Sequence, residues 1–352
     1  MIIDTISYSQ NRYITVNLPI NIKQENLILF EPYLVYPLRS LRTKNLKNIF
    51  VTHTGLCINN NGLIKESHHD YPGQLEDYLT EARAYFQRTQ DDENELIVLN
   101  GPVKYLVIHH PWFNYYHWLL ESIFRLWTIR NKIGEMILVL PESYRNTDFI
   151  MGSLEPFKID KIYFIPSRKS LLIENLCLPQ IKPIADSYNY KQVRQVRDFY
   201  LNYVLREKQI EINLGDKIYL TRKQAARKHV TNEQEVEKVL LSHGFSLLAN
   251  ENYTFLEQIA IYANAKYLVS IHGSGLTNML FMKEGSSILE LHKTRTNELD
   301  RPSFVFWYEA EALNFNYYHQ TCKTSADDDY FFGDFQIDIP LLQENLALML
   351  SA

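Results

Sequence analysis

Residues 109–121 concentrate side chains that can accept or donate protons. They read HHPWFNYYHWLLE and hold three histidines and one glutamate. Because an α-helix turns about 100° per residue, a helix that begins near Asn114 places His117 and Glu121 on the same side. A carboxylate one turn from an imidazole can hold it in one tautomer. The spacing therefore predicts His117 as a general base oriented by Glu121, or the reverse, with a plain surface ion pair as the alternative.

The same segment also offers ligands for a metal ion. His109, His110, His117 and Glu121 supply nitrogen and oxygen atoms of the kind that zinc binds. Their spacing matches neither the HExxH motif nor a two-histidine helix pair, so the sequence disfavours a zinc site. The triplet 327–329 reads DDD and contains an Asp-x-Asp pattern, but its polar surroundings are typical of a solvated loop.

A glycine-rich turn follows an apolar strand at residues 266–282, which read KYLVSIHGSGLTNMLFM. The strand ends near Ile271, and His272, Gly273, Ser274 and Gly275 lead directly into a helix. Two glycines let a backbone approach a ligand closely, and a helix N-terminus offers unpaired N–H groups, so the turn predicts a diphosphate site. The alternative is a connection without a ligand, which α/β proteins also use.

Charged residues follow the neighbouring strands. Arg222 ends the segment KIYLTR and Arg227 follows it, while Glu290 comes near the end of SSILEL. Guanidinium groups at the carboxyl end of a strand can bind phosphate oxygens bidentately, and a strand-end carboxylate can accept the hydroxyls of a ribose. A solvated basic loop and a carboxylate bonded to backbone amides are the alternatives. Taken together, the three strand ends predict a site for a nucleoside diphosphate.

The elements that position these residues are strands alternating with helices, which indicates an α/β protein with parallel sheets. Two such sets are joined by a helix and a glycine near residues 205–216. They predict two facing doubly wound domains, 1–205 and 206–352, with the ligand in the cleft between them. Thr254 and Glu257 predict a capping box, and the last helix could pack on either domain. The predicted segments are a strand-rich region in the first hundred residues, helices over 114–131, 147–155, 188–208, 254–265, 276–282 and 339–350, and a strand–turn–strand over 161–179.

The composition excludes several classes of protein. The chain has 352 residues, of which 46 % are hydrophobic, and a formal net charge of −5, which disfavours a nucleic-acid binder with a broad basic surface. Three cysteines without a CxxC spacing argue against a disulfide framework. We see no basic start followed by an apolar stretch and no apolar run of about 18–20 residues. We therefore expect a cytoplasmic protein, with peripheral attachment to a membrane left open.

Three segments, given in chain order, resemble the family 61 glycosyltransferases. They are NYYHWLLESIFRLW (114–127), YLTRKQAARKHVTNEQEV (219–236) and the run from GFSLLAN to SSILEL (244–291). The resemblance implies a GT-B fold, two facing Rossmann-like domains with the nucleotide on the C-terminal one. It also implies an inverting, metal-independent transfer from a UDP-sugar without any cofactor, by a hexosyl- or pentosyltransferase.

The resemblance also assigns roles to residues of this sequence. His117 and Glu121 would face the acceptor in the N-terminal domain, and Asn278 and Glu290 would lie toward the nucleotide. The residues that would bind the phosphates are Arg222, Arg227, His272, Gly273, Ser274 and Gly275. We expect a bacterial-type member that acts on saccharide or glycolipid acceptors in the biosynthesis of capsule or lipopolysaccharide. The alternatives are a non-catalytic nucleotide- or saccharide-binding module and, less favoured, a metal-dependent hydrolase.

Overall fold

The chain is a mixed α/β protein with 17 strands in the residues that the computed structural model describes. The described ranges are 12–38, 41–69, 71, 73–181, 187–295, 301–324 and 333–351. The strands are β1 Arg12–Thr15, β2 Val35–Leu38, β3 Thr43–Val51, β4 Cys57–Asn59, β5 Gly62–Leu63, β6 Leu96–Leu99, β7 Lys104–Val107, β8 Met136–Pro141, β9 Ile162–Ile165, β10 Ser170–Pro179, β11 Lys217–Leu220, β12 Ser246–Leu248, β13 Tyr267–Ile271, β14 Ser287–His292, β15 Asn316–Thr321, β16 Lys323–Thr324 and β17 Phe335–Gln336.

Helices connect most of these strands. The α-helices are α1 Leu27–Phe30, α2 Gln74–Asp91, α3 Tyr115–His117, α4 Ile123–Thr128, α5 Asp148–Leu154, α6 Tyr190–Asn202, α7 Glu233–Ser242, α8 Phe255–Asn264, α9 Val305–Leu313 and α10 Ile339–Ser351. One π-turn, Trp118–Ser122, joins α3 to α4, and another, Tyr203–Glu207, extends α6. The 3-10 helices are Gln24–Asn26, Glu31–Tyr33, Lys65–Ser67, Glu93–Glu95, Arg130–Glu135, Glu142–Asn146, Glu155–Phe157, Asn250–Asn252 and Ser274–Phe281.

The second half of the chain forms a five-stranded parallel sheet in the order β12-β11-β13-β14-β15. Its central strands β13 and β14 are buried along their whole length, as expected when helices cover both faces of a parallel sheet. Four of its strands were predicted from the sequence. The edge strand β15 and the preceding helix α9 were not, although they complete the sheet.

The first half forms an eight-stranded sheet that is mixed, which corrects the expectation of a purely parallel one. Strands β10, β7, β8 and β9 run parallel to one another, and β6 also pairs with β10. Strands β3, β4 and β5 extend the sheet with antiparallel pairing. The predicted strand–turn–strand over 161–179 is present as β9 and β10, but the two strands are separated by β7 and β8. The turn between them therefore does not make a hairpin.

The predicted helices are largely confirmed. Thr254 and Glu257 form the expected capping box at the start of α8. The last helix, α10, packs on the second sheet, where Leu342, Leu346 and Met349 join a core cluster with side chains of β13 and β14. This resolves the choice that the sequence left open, because the apolar face of α10 covers the second sheet.

The start of the described chain also packs on the second half. The Ile20 N–H donates to the Tyr317 carbonyl oxygen on β15, and the Trp307 indole N–H of α9 donates to the Asn17 carbonyl oxygen. A single apolar cluster continues from Leu106 of the first sheet to Leu268 of the second. The two sheets thus share a core, and the division of the chain at residues 205 and 206 stays a prediction.

Within the described ranges, no helix combines the length and apolar character needed to cross a lipid bilayer. The three cysteines, Cys57, Cys177 and Cys322, are buried free thiols. Burial raises the pKa of Cys57 to about 12, since the apolar interior disfavours the thiolate. These thiols therefore pack as small apolar groups.

Candidate active site

The glycine turn lies at the carboxyl end of β13, as predicted. His272, Gly273, Ser274 and Gly275 are partly exposed, whereas the strand before them is buried. The backbone at Gly273 is extended, so its conformation does not require glycine. A Cβ at Gly273 would lie 3.1 Å from a guanidinium nitrogen of Arg222, so an added side chain would press on the flexible end of that arginine. A Cβ at Gly275 would lie 2.7 Å from a methyl group of Leu220, so both glycines permit close approach.

Arg222 lies over this turn because β11 and β13 are parallel neighbours whose carboxyl ends meet at one edge. Its Nε donates to the Lys228 carbonyl oxygen at 3.3 Å, and its Nη2 donates to the Arg227 carbonyl oxygen at 3.2 Å. Burial lowers the pKa of Arg222, while the Glu251 carboxylate raises it, and an arginine remains charged at neutral pH. The turn therefore carries a fixed positive charge.

Arg227 occupies the loop after β11 and contributes a backbone carbonyl that orients Arg222. Its own side chain is exposed. The sequence predicts that this guanidinium binds phosphate, and that role stays a prediction.

Glu290 is bound by groups of the protein, and its predicted contact with a ribose stays a prediction. Its side chain is fully buried on β14. One carboxylate oxygen is 2.5 Å from Nδ1 of His272, and the other accepts a hydrogen bond from the Tyr317 hydroxyl at 2.8 Å. Burial raises the pKa of Tyr317 well above its usual value, so the phenol stays a donor. Glu290 thus orients His272, whose side chain is 20 % exposed at the turn.

The predicted contact of Asn278 with the nucleotide also stays a prediction. It is fully buried in the 3-10 helix that follows the turn. Its amide nitrogen donates to Gln258 Oε1 at 2.9 Å, and its amide oxygen accepts a hydrogen bond from the Tyr115 hydroxyl at 2.5 Å. Asn278 therefore joins this helix to α3.

The predicted His117–Glu121 pair is present and lies inside the protein. Asn114 caps the helix by accepting the backbone N–H of His117 at 2.9 Å. The His117 Nδ1 atom lies 2.7 Å from Glu121 Oε2, and the two side chains are 14 % and 0 % exposed. The plain surface pair is thereby excluded. The π-turn begins directly after His117 and contains Glu121, and such turns recur at functional sites.

Two further histidines surround Glu121. The Nε2 atoms of His69 and His110 lie 3.0 and 3.2 Å from the same oxygen that binds His117. Burial would raise the pKa of Glu121, but the charges of His117 and His69 and hydrogen bonds from His110 and His117 hold it well below its usual value. His69 was missed at the sequence level because it lies in a loop far from residues 109–121 and carries no motif.

His69, His117 and Glu121 are also of the types that bind metal ions. The ligand atoms of His69, His117 and Glu121 all lie within 4.8 Å of one another. Two ligands of a tetrahedral zinc ion are about 3.3 Å apart, given bonds of about 2.0–2.1 Å. The 2.7 Å between His117 Nδ1 and Glu121 Oε2 is shorter and is typical of a hydrogen bond. The contact is therefore a hydrogen bond in this structure, and the independence of a metal ion stays a prediction.

The sequence also offers His109 and the triplet 327–329 as possible metal ligands. His109 does not join the cluster around Glu121, because its Nε2 lies 3.2 Å from the backbone carbonyl oxygen of His53. Burial lowers the pKa of His109 to about 3, so its imidazole is neutral. The triplet 327–329 lies outside the described residues.

The glycine turn and the His117 helix are neighbours in space. The Tyr115–Asn278 hydrogen bond links the first residue of α3 to the helix after the turn. The Phe306 ring lies 5.1 Å from the His272 ring and 5.9 Å from the Tyr116 ring. The helix that carries His117 and the turn that carries His272 are thus joined by direct contacts.

Comparison with known families gives one match. A family model described as Glycosyltransferase 61 matches residues 115–289, about half of the chain. The matched segment begins at the first residue of α3 and ends within β14, next to Glu290, so it spans the His117–Glu121 pair and the glycine turn. No curated protein matches the chain.

Proposed function

We propose, from the premise that this chain belongs to glycosyltransferase family 61, that it transfers a sugar from a UDP-sugar to a saccharide or glycolipid acceptor. The family expected from the sequence is thereby confirmed. The observation that carries the proposal is a contact between two groups. One is the buried His117–Glu121 pair, and the other is the glycine turn beside Arg222. The hydrogen bond between Tyr115 and Asn278 joins them. One side can accept a proton and the other can hold a diphosphate.

On the donor side, the charge of the leaving diphosphate needs compensation. Arg222 supplies a cation, and the backbone at Gly273 and Gly275 has no side chain to block a phosphate group. Arg227 on the neighbouring loop would add a second cation. We propose that these groups make a metal ion unnecessary for release of UDP, and that Glu290 acts through His272 rather than on the ribose.

On the acceptor side, we propose an inverting displacement. With Nδ1 of His117 bound to Glu121, Nε2 is the atom that accepts the proton of the acceptor hydroxyl. The acceptor oxygen forms a bond to the anomeric carbon from the face opposite UDP. The bond between that carbon and the diphosphate breaks, and UDP leaves with its electron pair.

We further propose a GT-B arrangement in which residues 1–205 hold the acceptor and residues 206–352 hold the nucleotide. The all-parallel second sheet, with its ligand-binding edge at the carboxyl ends of β11 and β13, supports this proposal. The expected setting is the biosynthesis of capsule or lipopolysaccharide in the cytoplasm, at the inner face of the membrane.

A panel of nucleotides tests the donor. Thermal unfolding is measured with UDP, UDP-N-acetylglucosamine, UDP-xylose, UDP-glucose and ADP. Uridine nucleotides should raise the midpoint, because a ligand at about 100 times its Kd adds about 2.7 kcal/mol. ADP should have a smaller effect. If no uridine nucleotide shifts the midpoint, or ADP shifts it equally, the proposed donor is wrong.

Release of UDP separates an enzyme from a binding module. The UDP-sugar with the largest shift is incubated with saccharide acceptors, and free UDP is quantified. A transferase releases UDP in step with a glycosylated product. Binding without any release would favour the non-catalytic module.

A further inference from the structure

We propose that His69 and His110 are positioning residues that hold the Glu121 carboxylate so that His117 presents Nε2 as the proton acceptor. This inference rests on the proposed function, since it explains how the base is set. It concerns two side chains that are 1 % exposed and lie beside Glu121.

The geometry converges on one atom. Glu121 Oε2 lies 2.7 Å from His117 Nδ1, 3.0 Å from His69 Nε2 and 3.2 Å from His110 Nε2. The His117 contact has the geometry of a hydrogen bond, and the other two are close N–O contacts with the same carboxylate oxygen. A buried carboxylate beside three N–H groups is stabilised in its charged form. Glu121 is therefore held as an anion inside the protein.

The rings of His69 and His110 are themselves fixed by packing. His69 stacks on Trp112 with 3.9 Å between ring centroids, and it meets His110 edge to face at 4.9 Å. Both side chains are 1 % exposed. Burial lowers the pKa of His110 to about 3, so at neutral pH it is an uncharged imidazole with a single N–H. An uncharged His110 lies beside the carboxylate without competing with His117 for its charge.

The arrangement selects one tautomer of His117. An anionic Glu121 accepts the Nδ1–H of His117, which leaves the lone pair on Nε2. His117 is the most exposed of the three histidines, at 14 %. Loss of a donor to Glu121 would let the carboxylate move or take up a proton, and the tautomer of His117 would no longer be fixed.

The test compares substitutions that keep or remove the N–H near Nε2. In His69→Gln and His110→Gln, the amide nitrogen reaches about the position of Nε2. In the Asn and Leu variants it does not, and Leu also fills the space. His109→Leu is the matched control, because His109 is equally buried but faces the His53 carbonyl oxygen.

Two readouts separate positioning from packing. The Asn and Leu variants at 69 and 110 should lose about 10- to 100-fold in kcat, the size of one hydrogen bond to a charged group, with the KM for the UDP-sugar unchanged. The Gln variants should recover most of this loss, and His109→Leu should keep its kcat. If Gln fails to rescue, or KM changes as much as kcat, the positioning role is wrong.

Nitrogen-15 NMR of histidine-labelled protein reads the tautomer without any turnover. At pH 7, His117 should carry its proton on Nδ1 in the wild type and in His109→Leu, and show mixed tautomers in His69→Asn and His110→Asn. An unchanged tautomer in the Asn variants would overturn the inference. It would also be overturned if metal analysis found one zinc ion per wild-type chain and none in His69→Leu. Lack of transfer with every UDP-sugar, alongside the expected NMR result, would overturn the proposed function alone.

Discussion

The Tyr115 hydroxyl lies 2.5 Å from the amide oxygen of Asn278. Tyr115 is the first residue of α3, two positions before His117, and Asn278 lies in the helix that follows the glycine turn. Burial raises the pKa of Tyr115 well above its usual value, so its proton stays on the phenol and is donated. This one contact sets the distance between the group expected to take a proton and the turn expected to hold a diphosphate.

Replacing Tyr115 by Phe tests that linkage. The variant removes a donor from a buried amide oxygen, so the free energy of unfolding should fall by about 1–3 kcal/mol. Turnover should also fall, because α3 loses its attachment beside the turn. Tyr200→Phe is the control, since it also removes a buried tyrosine hydroxyl, which donates to the Ser153 carbonyl oxygen rather than to Asn278. Both quantities are obtained from urea unfolding and initial rates, and equal turnover in the two variants would contradict the linkage.

Arg222→Ala tests the phosphate site. Removal of the guanidinium above Gly273 should weaken UDP binding by about 1.5–3 kcal/mol, the size of a hydrogen bond to a charged group. Lys223→Ala is the neighbouring control, because Lys223 is exposed and pairs with Glu237 at 2.6 Å. Titration calorimetry with UDP gives both affinities. A normal affinity in Arg222→Ala would mean that the diphosphate binds elsewhere.

The two glycines of the turn should respond differently to alanine. Gly275→Ala forces Leu220 to move and should cost about 1–3 kcal/mol of folding stability. Gly273→Ala presses on the flexible end of Arg222, so we expect weaker UDP binding with little loss of stability. Gly134→Ala is the control, because no atom lies within 4 Å of a Cβ there. Thermal unfolding with and without UDP distinguishes the three, and a destabilised Gly134→Ala would undermine the comparison.

Stability should decrease as the pH falls below about 6.5. Burial lowers the pKa of His109 and His110 to about 3, so between these values the unfolded chain binds protons that the folded chain does not. Each such histidine removes about 1.4 kcal/mol of stability per pH unit in that window. In His109→Leu, the dependence of urea unfolding on pH between 6 and 5 should be shallower by about that amount. An identical slope would show that His109 is protonated in the folded state.

The features that the sequence predicts correctly are those formed by residues close together in the chain. The capping box at Thr254, the His117–Glu121 pair and the turn after β13 each depend on residues a few positions apart. In such features, residues that are a few positions apart in the chain are neighbours in space, so the sequence predicts their contact.

Contacts between distant elements could not be predicted in this way. His69 reaches Glu121 from a loop, and Tyr317 reaches Glu290 from an edge strand that was not foreseen. The helix that contains Asn278 is apolar on most sides, so its pattern does not tell which of its side chains contacts α3. The partners of these side chains are determined by tertiary packing, which the sequence pattern does not show.

The most direct test of the central proposal is the turnover of His117→Ala measured beside its affinity for the UDP-sugar. Since general-base catalysis contributes about 10²- to 10⁴-fold, release of UDP in the presence of acceptor should fall by that factor. The affinity for the UDP-sugar should stay that of the wild type, because the proposed role of His117 is on the acceptor side. A variant that binds the UDP-sugar normally and keeps near-full turnover would contradict the assignment of His117 as the base.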